Sequence, residues 1–416
     1  MKEKLAINGG KSVRGENNPL PEIFPREIPD NAYKYVKEVL DSGFTSKVQE
    51  KFELAFAKAC NTKYAIAVAN CTAAVHSALA ALDIGPGDEV VTSPITDYGS
   101  IAGILAQNAL PVFADVDLRN GNITAENIKK VITPYTKAIV LPHWWGLMCD
   151  MEPILKLTKQ KSIALIEDSC LTPLATYKGR MSGSMGDIGC FSFEGIKHLC
   201  TEHGGMVITN SKKLADKVRK FAIKRGSEEK QNYGRVHTSF GLNYRFNSLS
   251  SAVGLAQLEV LSHQNEHRRK LGAILNQKIK NIPGVIPLYI PEGCDHIYWL
   301  YAIFLDLSYF KTDLWTISKA MNAEGLKGIS PAPYYFVPDS HTYLKDRFHL
   351  YGNTDCPFNC HLGKRKIKYS VQNTPNAKKL IGKTLRWIFT DKYTKKDIDD
   401  IALILHKVLG YYLRNH

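Results

Sequence analysis

The chain has 416 residues, of which 44% are hydrophobic and 10% aromatic, and a formal net charge of +14 at pH 7. That length exceeds one ordinary core and points to two lobes, and the composition excludes an extensively disordered chain. No run approaches the ~20 apolar residues that span a bilayer, and the N-terminus MKEKLAINGGKSVRG lacks the apolar centre of a signal peptide, so a cytoplasmic protein without membrane insertion is expected.

Residues 1–30 are polar and proline-rich and read as an arm lying on a surface. Residues 31–60 predict two helices. Asn31 would cap the first, with Tyr33, Val36, Val39 and Leu40 as its apolar face. A Ser-Gly break at 42–43 leads to the second, through Phe52, Leu54 and Phe56. A regular alternation follows. The strands are expected at Tyr64–Ala69, Glu89–Thr92, Pro111–Ala114, Ala138–Pro142, Ser162–Glu167, Ile188–Phe193 and Met206–Thr209. Helices fill the intervals, at Val75–Leu82, 98–108, Asn122–Val131 and Glu152–Lys159. Short strands alternating with helices predict a mostly parallel α/β sheet covered on both faces, with its ligand outside the carboxyl ends of the strands. After about 210 the pattern changes to a helix at Lys212–Lys224, a polar loop at 226–243, and helices at Leu249–Ser262 and 266–281. A strand at Tyr298–Leu305, a helix at Leu314–Ala323 and an amphipathic helix at Asp397–Tyr412 complete a smaller α+β unit. The division is an arm at 1–30, a large domain at 31–262 and a small domain at 263–416.

The lysines are spread along the chain, notably over Lys212–Lys230, Lys364–Lys368 and Lys378–Lys396. They read as solvated helix faces or as attraction for an anionic ligand. No DNA- or RNA-binding signature accompanies them, so nucleic acid is not an expected partner. Nine cysteines without paired spacing read as free thiols, with Cys60, Cys149 and Cys190 in apolar runs. Cys356, Cys360 and His361 approach metal-ligand spacing but lack a second half, and no metal is expected.

Three polar groups fall just past predicted strand ends: Asn70, Asp168 and the turn leading to Lys197. A lysine after a buried strand is either a surface loop residue or an amine placed to form an imine with a carbonyl compound. An imine-forming lysine serving pyridoxal 5'-phosphate (PLP) needs a carboxylate to pair with the ring nitrogen, and Asp168 fits. The phosphate needs amides at a helix start together with hydroxyls; Thr72, Ala73 and Ser192 are candidates. A dinucleotide-binding dehydrogenase is disfavoured, because NCTAAV after the first strand is not G-x-G-x-x-G.

The order and spacing of LAINGG, NCTAAVHSALAALDIGPGDEV, PVFADVD, TKAIVLPHWWG, IED with TYKGR, GCFSF with Lys197, GGMVITN and GLNYRFNSLSSAVGLAQLE resemble the PLP-dependent sugar aminotransferases of the DegT/DnrJ/StrS type. These belong to the aspartate aminotransferase fold type (fold type I). The resemblance covers nearly the whole chain. It implies a mostly parallel seven-stranded sheet flanked by helices, with a smaller C-terminal α+β domain. It implies that Lys197 holds the cofactor as an imine and then acts as acid and base, that Asp168 pairs with the pyridinium nitrogen, and that Thr72, Ala73 and Ser192 bind the phosphate. Asn243 would reach the cofactor of the neighbouring subunit in a homodimer with shared active sites. The reaction implied is amination of a keto sugar, mostly nucleotide-linked, with glutamate or glutamine as donor. Retention of Lys197 favours transamination over the related dehydratases, which carry histidine there.

Three places depart from the family pattern. Asp97 follows Thr96 where an aromatic residue usually stacks on the cofactor, leaving Tyr98 as the candidate to stack. Leu171 stands where Gln or His usually meets the phenolic oxygen. Glu202 and His203 precede the glycine pair in place of Gly and an acid. These changes also admit a catalytically degenerate member that binds PLP or a sugar. For the substrate, Trp145 (or Trp144), His198, His296, Tyr298 and Tyr301 are the expected contacts.

Overall fold

The computed structural model describes residues 4–230, 234–331, 344, 356–363, 366–367 and 369–414. Two helices, α1 (Asn31–Asp41) and α2 (Val48–Ala59), precede the alternation β1 (Tyr64–Val68), α3 (Cys71–Ala81), β2 (Glu89–Thr92), α4 (Tyr98–Ala106), β3 (Leu110–Phe113), α5 (Ala125–Val131), β4 (Thr136–Pro142), α6 (Met151–Lys161) and β5 (Ala164–Asp168). A two-residue hairpin, β6 (Thr176–Tyr177) and β7 (Arg180–Met181), leads to β8 (Ile188–Ser192) and β9 (Gly205–Thr209). The seven long strands form one sheet in the order β1-β9-β8-β5-β4-β2-β3. The run from β3 to β8 is parallel, and β9 is antiparallel to both neighbours. The chain is thus an α/β protein of the expected class. Residues of β2, β8 and β9 are buried throughout, because helices cover both faces and leave no wet side for a polar alternation.

Beyond the sheet come α7 (Lys212–Val218), a hairpin of β10 (Ser227–Lys230) and β11 (Gly234–His237), and α8 (Ser248–Ile279). A second, antiparallel sheet has the order β12-β13-β15-β14, from Val285–Ile286, Leu300–Leu305, Thr384–Ile388 and Ser330–Pro331. It packs with α9 (Leu314–Ala323) and α11 (Lys395–Tyr412) around its own core of Ile303, Leu385, Trp387, Ile401 and Leu405; α10 (Pro375–Ile381) contributes Ala377 and Leu380 to the larger core. Among the described residues no helix is long and apolar enough to cross a membrane.

Several expectations are corrected. The helices expected at Leu249–Ser262 and 266–281 are one helix of 32 residues, which crosses the predicted boundary at 262/263. Its first half packs on α1 and α2 and its second half on α11, so one rigid element serves both cores. The predicted loop at 226–243 contains the β10–β11 hairpin. The helix expected over Lys212–Lys224 gives way at Arg219–Ile223 to a π-helical turn. Asn31 is not a cap: Asp30 holds that position without a side-chain bond, and the Asn31 amide instead donates to Glu259 of α8. On α1 only Ala32 and Val39 are buried, whereas Tyr33 and Leu40 face outward, as does Leu54 of α2.

The N-terminal segment is bound more tightly than a surface arm. Leu5 and Leu20 lie in the second core. Fully buried Glu324 accepts the amides of Ala6 (2.8 Å) and Val13 (3.2 Å) and pairs with Lys407 (3.0 Å). Arg14 pairs with Asp397 at 2.5 Å and Asp400 at 2.6 Å. Cys60, Cys149 and Cys190 are buried free thiols, as expected. Among the described residues no group of three or more His, Cys, Asp or Glu is arranged to hold a metal ion. Part of the Lys364–Lys368 run lies outside the described residues.

Candidate active site

The carboxyl ends of the parallel strands open onto a cavity of about 320 Å³. Its lining brings together Asn70, Cys71 and Thr72 after β1, Asp97, Gly99 and Ser100 after β2, Asp168 and Cys170 after β5, and Ser192, Glu194, Ile196 and Lys197 at and after β8. That volume suits a cofactor-sized ligand. Among the described lining residues Lys197 is the sole cation, against the carboxyl groups of Asp97, Asp168 and Glu194.

Lys197 stands on a turn closed by its own amide donating to Glu194 O at 3.0 Å. Its Nζ lies 4.3 Å from the centroid of the Trp299 ring, a cation–π contact that sets the amine against an apolar wall. Asp168 is the last residue of β5 and is buried. Its Oδ2 accepts the Ser100 hydroxyl at 2.6 Å, and Ser100 is bonded to the Thr96 hydroxyl at 2.8 Å. Its Oδ1 accepts the Cys170 amide at 3.2 Å, with Cys71 Sγ at 3.9 Å. A contact with Cys170 draws the Cys71 thiol down, but burial and the Asp168 charge outweigh it and push the group up to about 11, so this thiol stays protonated at neutral pH. The carboxylate is thus fixed in one rotamer, and with two donors on Oδ1 and one on Oδ2 it keeps acceptor capacity at Oδ2.

At the opposite end, α3 begins directly after the β1 turn. The Asn70 side chain caps it by accepting the Ala73 amide at 2.8 Å. The Ala73 N–H is engaged by that cap, and the amides of Cys71 and Thr72 are those left at the open end of the helix. Thr72 and Ser192 line the cavity as expected. The loops are packed closely, since a Cβ on Gly99 would stand 2.8 Å from Thr72 Oγ1. Gly204 and Gly205 also answer to close approach, as a Cβ on Gly205 would meet the Asn70 carbonyl at 2.6 Å and one on Gly204 the Phe246 ring at 2.7 Å. Glu202 and His203 before them are exposed and outside the cavity lining.

The remaining expectations divide. Tyr98 is 41% exposed and does not line the cavity, because Asp97 caps α4 by accepting the Gly99 amide at 2.9 Å and so turns the next side chain outward. Asp97, not an aromatic ring, borders the space at that point. Leu171 is in the main core, and its neighbour Cys170 lines the cavity. The five expected substrate contacts are all buried outside the lining. Trp145 lies in the main core, its indole nitrogen close beside Gly121. His296 stacks on Tyr298 at 3.9 Å, accepts the Tyr298 amide at Nδ1 (3.1 Å) and is held neutral by burial, at about 3. The Tyr298 hydroxyl accepts from Asn276 at 3.0 Å, and Tyr301 bonds the same amide. His198 sits behind the lysine turn; burial, then Arg268 and Arg26, hold it well below its ordinary pKa. The Tyr298 backbone slightly opposes that shift, yet neither ring nitrogen of His198 makes a hydrogen bond of normal geometry. Asn243 is exposed, away from this cavity, and accepts Arg245 Nε at 3.0 Å.

Sequence reasoning missed Ser100, Cys170, Glu194 and Trp299. For Ser100 a signal existed: with Thr96 it makes an i, i+4 hydroxyl pair at a helix start on the predicted rim. Trp299 had none, because it comes from the bend before a strand of the other sheet.

The DegT/DnrJ/EryC1/StrS aminotransferase family matches residues 26–402. The chain belongs to this family. This aminotransferase is 38% identical over 291 residues, 69% of its length and 78% of the relative's, to GDP-perosamine synthase of Caulobacter vibrioides. It is 32% identical over 400 residues, 94% and 97% of the two chains, to spore coat polysaccharide biosynthesis protein SpsC of Bacillus subtilis. Its fold superposes on the crystal structure of an aminotransferase from Psychrobacter cryohalolentis with a TM-score of 0.80 and 28% identity, covering 95% and 100% of the chains. Aminotransferases of this family are PLP-dependent. The donor set suits that cofactor: one amine, one buried carboxylate with a free lone pair, and an open helix end with Thr72 and Ser192 hydroxyls.

Proposed function

We propose that this chain aminates a keto sugar, in nucleotide-linked form, with glutamate or glutamine as amino donor. The observation that carries the reading is the convergence of Lys197, Asp168, Thr72 and Ser192 on one cavity. The named activity of the GDP-perosamine synthase relative and the net charge of +14 support an anionic nucleotide sugar. PLP, when bound, supplies an electron sink for the substrate carbon. Thr72, Ser192 and the first amides of α3 hold its phosphate, and Asp168 holds the proton on its ring nitrogen by charge pairing. Lys197 Nζ is the amine that would hold the cofactor, and as a free amine it would move the proton at the substrate carbon. The Trp299 face lies beside that amine. The test is a half-reaction: glutamate or glutamine should convert bound PLP to pyridoxamine phosphate, and a panel of keto nucleotide sugars should reverse it. Loss of a sugar hydroxyl without amination would instead establish a dehydratase. Binding without either reaction would establish the degenerate reading that Asp97 and Leu171 motivate.

The active protein is proposed to be a homodimer with shared sites. Exposed Asn243 does not line its own cavity, and Phe240, Tyr33, Leu54 and Phe44 leave apolar surface that a second copy would cover. Asn243 would then reach the partner's phosphate. Mixing inactive Lys197→Ala and Asn243→Ala proteins should restore about a quarter of wild-type activity, since half of random dimers are hybrids with one intact site. No recovery after verified subunit exchange would rule out shared sites.

A further inference from the structure

Three consecutive backbone carbonyls around Lys197 are gripped from outside their own turn. Arg26 donates to Gly195 O from Nε at 3.0 Å and from Nη2 at 2.9 Å, and its Nη2 also donates to Lys197 O. Between them, Trp299 Nε1 donates to Ile196 O at 3.0 Å. The turn's own bonds are local: Lys197 N to Glu194 O at 3.0 Å and Ile196 N to Glu194 Oε2 at 3.2 Å. Such a turn can carry a lysine but does little by itself to fix the direction of its side chain.

The two gripping side chains come from distant parts of the chain. Arg26 belongs to the N-terminal segment, which Lys392 holds through Pro25 O and which lays Phe24 against Gly195. Trp299 immediately precedes β13 of the second sheet and is 2% exposed. The Arg26 position is electrostatically costly. Burial draws its pKa below the ordinary value while Cys200, Asp391 and Glu194 oppose the shift, and its charge in turn lowers the pKa of the neighbouring Arg268. What the guanidinium gains there is two carbonyls of the lysine turn, in a planar fork that an ammonium group does not reproduce.

We propose that Arg26 and Trp299 are positioning residues for Lys197, a two-sided clamp from the N-terminal segment and the second sheet that sets where Nζ points. This rests on Lys197 being the lysine that reacts with PLP. Neither residue touches the reacting atoms through a polar group, so their effect passes through the backbone, and the Trp299 ring face adds the wall under the amine.

The test uses full-length Arg26→Ala, Arg26→Lys and Trp299→Phe, the last removing one N–H while keeping an aromatic ring. Cofactor-free protein is mixed with PLP, and the rate of borohydride-fixed label on Lys197 is read by mass spectrometry. Amide exchange is followed in the peptide covering 193–203, with β5 as internal reference. Arg26→Ala should slow labelling by about 10- to 100-fold, as expected for an amine displaced by about an ångström. Exchange in that peptide should rise at least about tenfold while β5 stays unchanged, because loss of the grip opens the turn locally. Arg26→Lys should recover labelling only in part, and kcat should fall more than the donor KM changes. Labelling and exchange both within about twofold of wild type would overturn the clamp. If Arg26→Ala does not fold, Trp299→Phe decides on the same readouts. Absence of label on Lys197 in the wild-type protein would sink the reading of Lys197 itself, whereas equal label in wild type and variants sinks the clamp alone.

Discussion

Lys197→Ala is expected to lose the near-visible absorbance that borohydride fixes onto the wild-type chain, and to lower kcat by at least about 10⁴-fold, the upper range for a lost acid–base group. The reason is local. Among the described residues lining the cavity no second cation is present to take its place, and Nζ is already held over the Trp299 face. Lys197→Arg should be about as inactive. It keeps the charge, but a guanidinium does not give up its proton to form an imine. This pair of variants separates chemistry from electrostatics: substantial turnover in the arginine variant would mean that Lys197 serves only to bind an anion. Persistence of the fixed absorbance in Lys197→Ala would move the reacting amine elsewhere.

Glu167→Ala should cost about 3–5 kcal/mol of stability, the range for breaking up a buried charged network. Glu167 precedes Asp168 on β5 and is fully buried. Its Oε1 accepts the amides of Met185 (2.7 Å) and Gly186 (2.6 Å), and its Oε2 accepts those of Gly183 (3.0 Å) and the His143 ring (3.2 Å). His143 accepts the Cys149 amide at Nδ1 (3.2 Å), so its ring proton sits on Nε2 and points at the carboxylate. One side chain thus terminates four donors beneath the rim. Alanine leaves three backbone N–H groups buried without partners, each worth about 1–3 kcal/mol. The loop they belong to is pressed against β8, since a Cβ on Gly189 would stand 2.3 Å from Gly183 O. The disturbance should therefore reach the strand that carries Lys197. Urea denaturation of wild type, Glu167→Ala and Glu167→Gln measures it, with Gln intermediate because one carbonyl acceptor survives. A loss under about 1 kcal/mol for alanine would show that the loop is held by its own packing.

Periodicity was enough to place the strands of the large sheet within a residue or two, because each is a short apolar run bounded by turn chemistry. Ends of parallel strands also mark the rim, so Asp168, Lys197, Thr72 and Ser192 were visible as candidates before any coordinates. Local bonding overrode the finer choices. The Ala73 amide went to the Asn70 cap and Asp97 capped α4, which sent Tyr98 outward. The aromatic and histidine residues expected at the substrate lie outside the cavity lining for a common reason. Trp145, His296 and Tyr298 lie where two cores meet, and an apolar or stacked environment there satisfies them without a ligand.

What the sequence by itself determined is the sheet, the rim and the presence of Lys197 and Asp168 at it, since these follow from hydrophobic runs and from polar residues attached to strand ends. What only the tertiary structure decided is the company those groups keep. Ser100 on Asp168, Trp299 under Lys197, Arg26 on the carbonyls beside it and Glu167 beneath the rim are contacts between residues as much as 171 positions apart. No periodicity encodes such pairs, because a side chain's partner across the fold depends on how separate elements are brought together and not on its own neighbours in the chain.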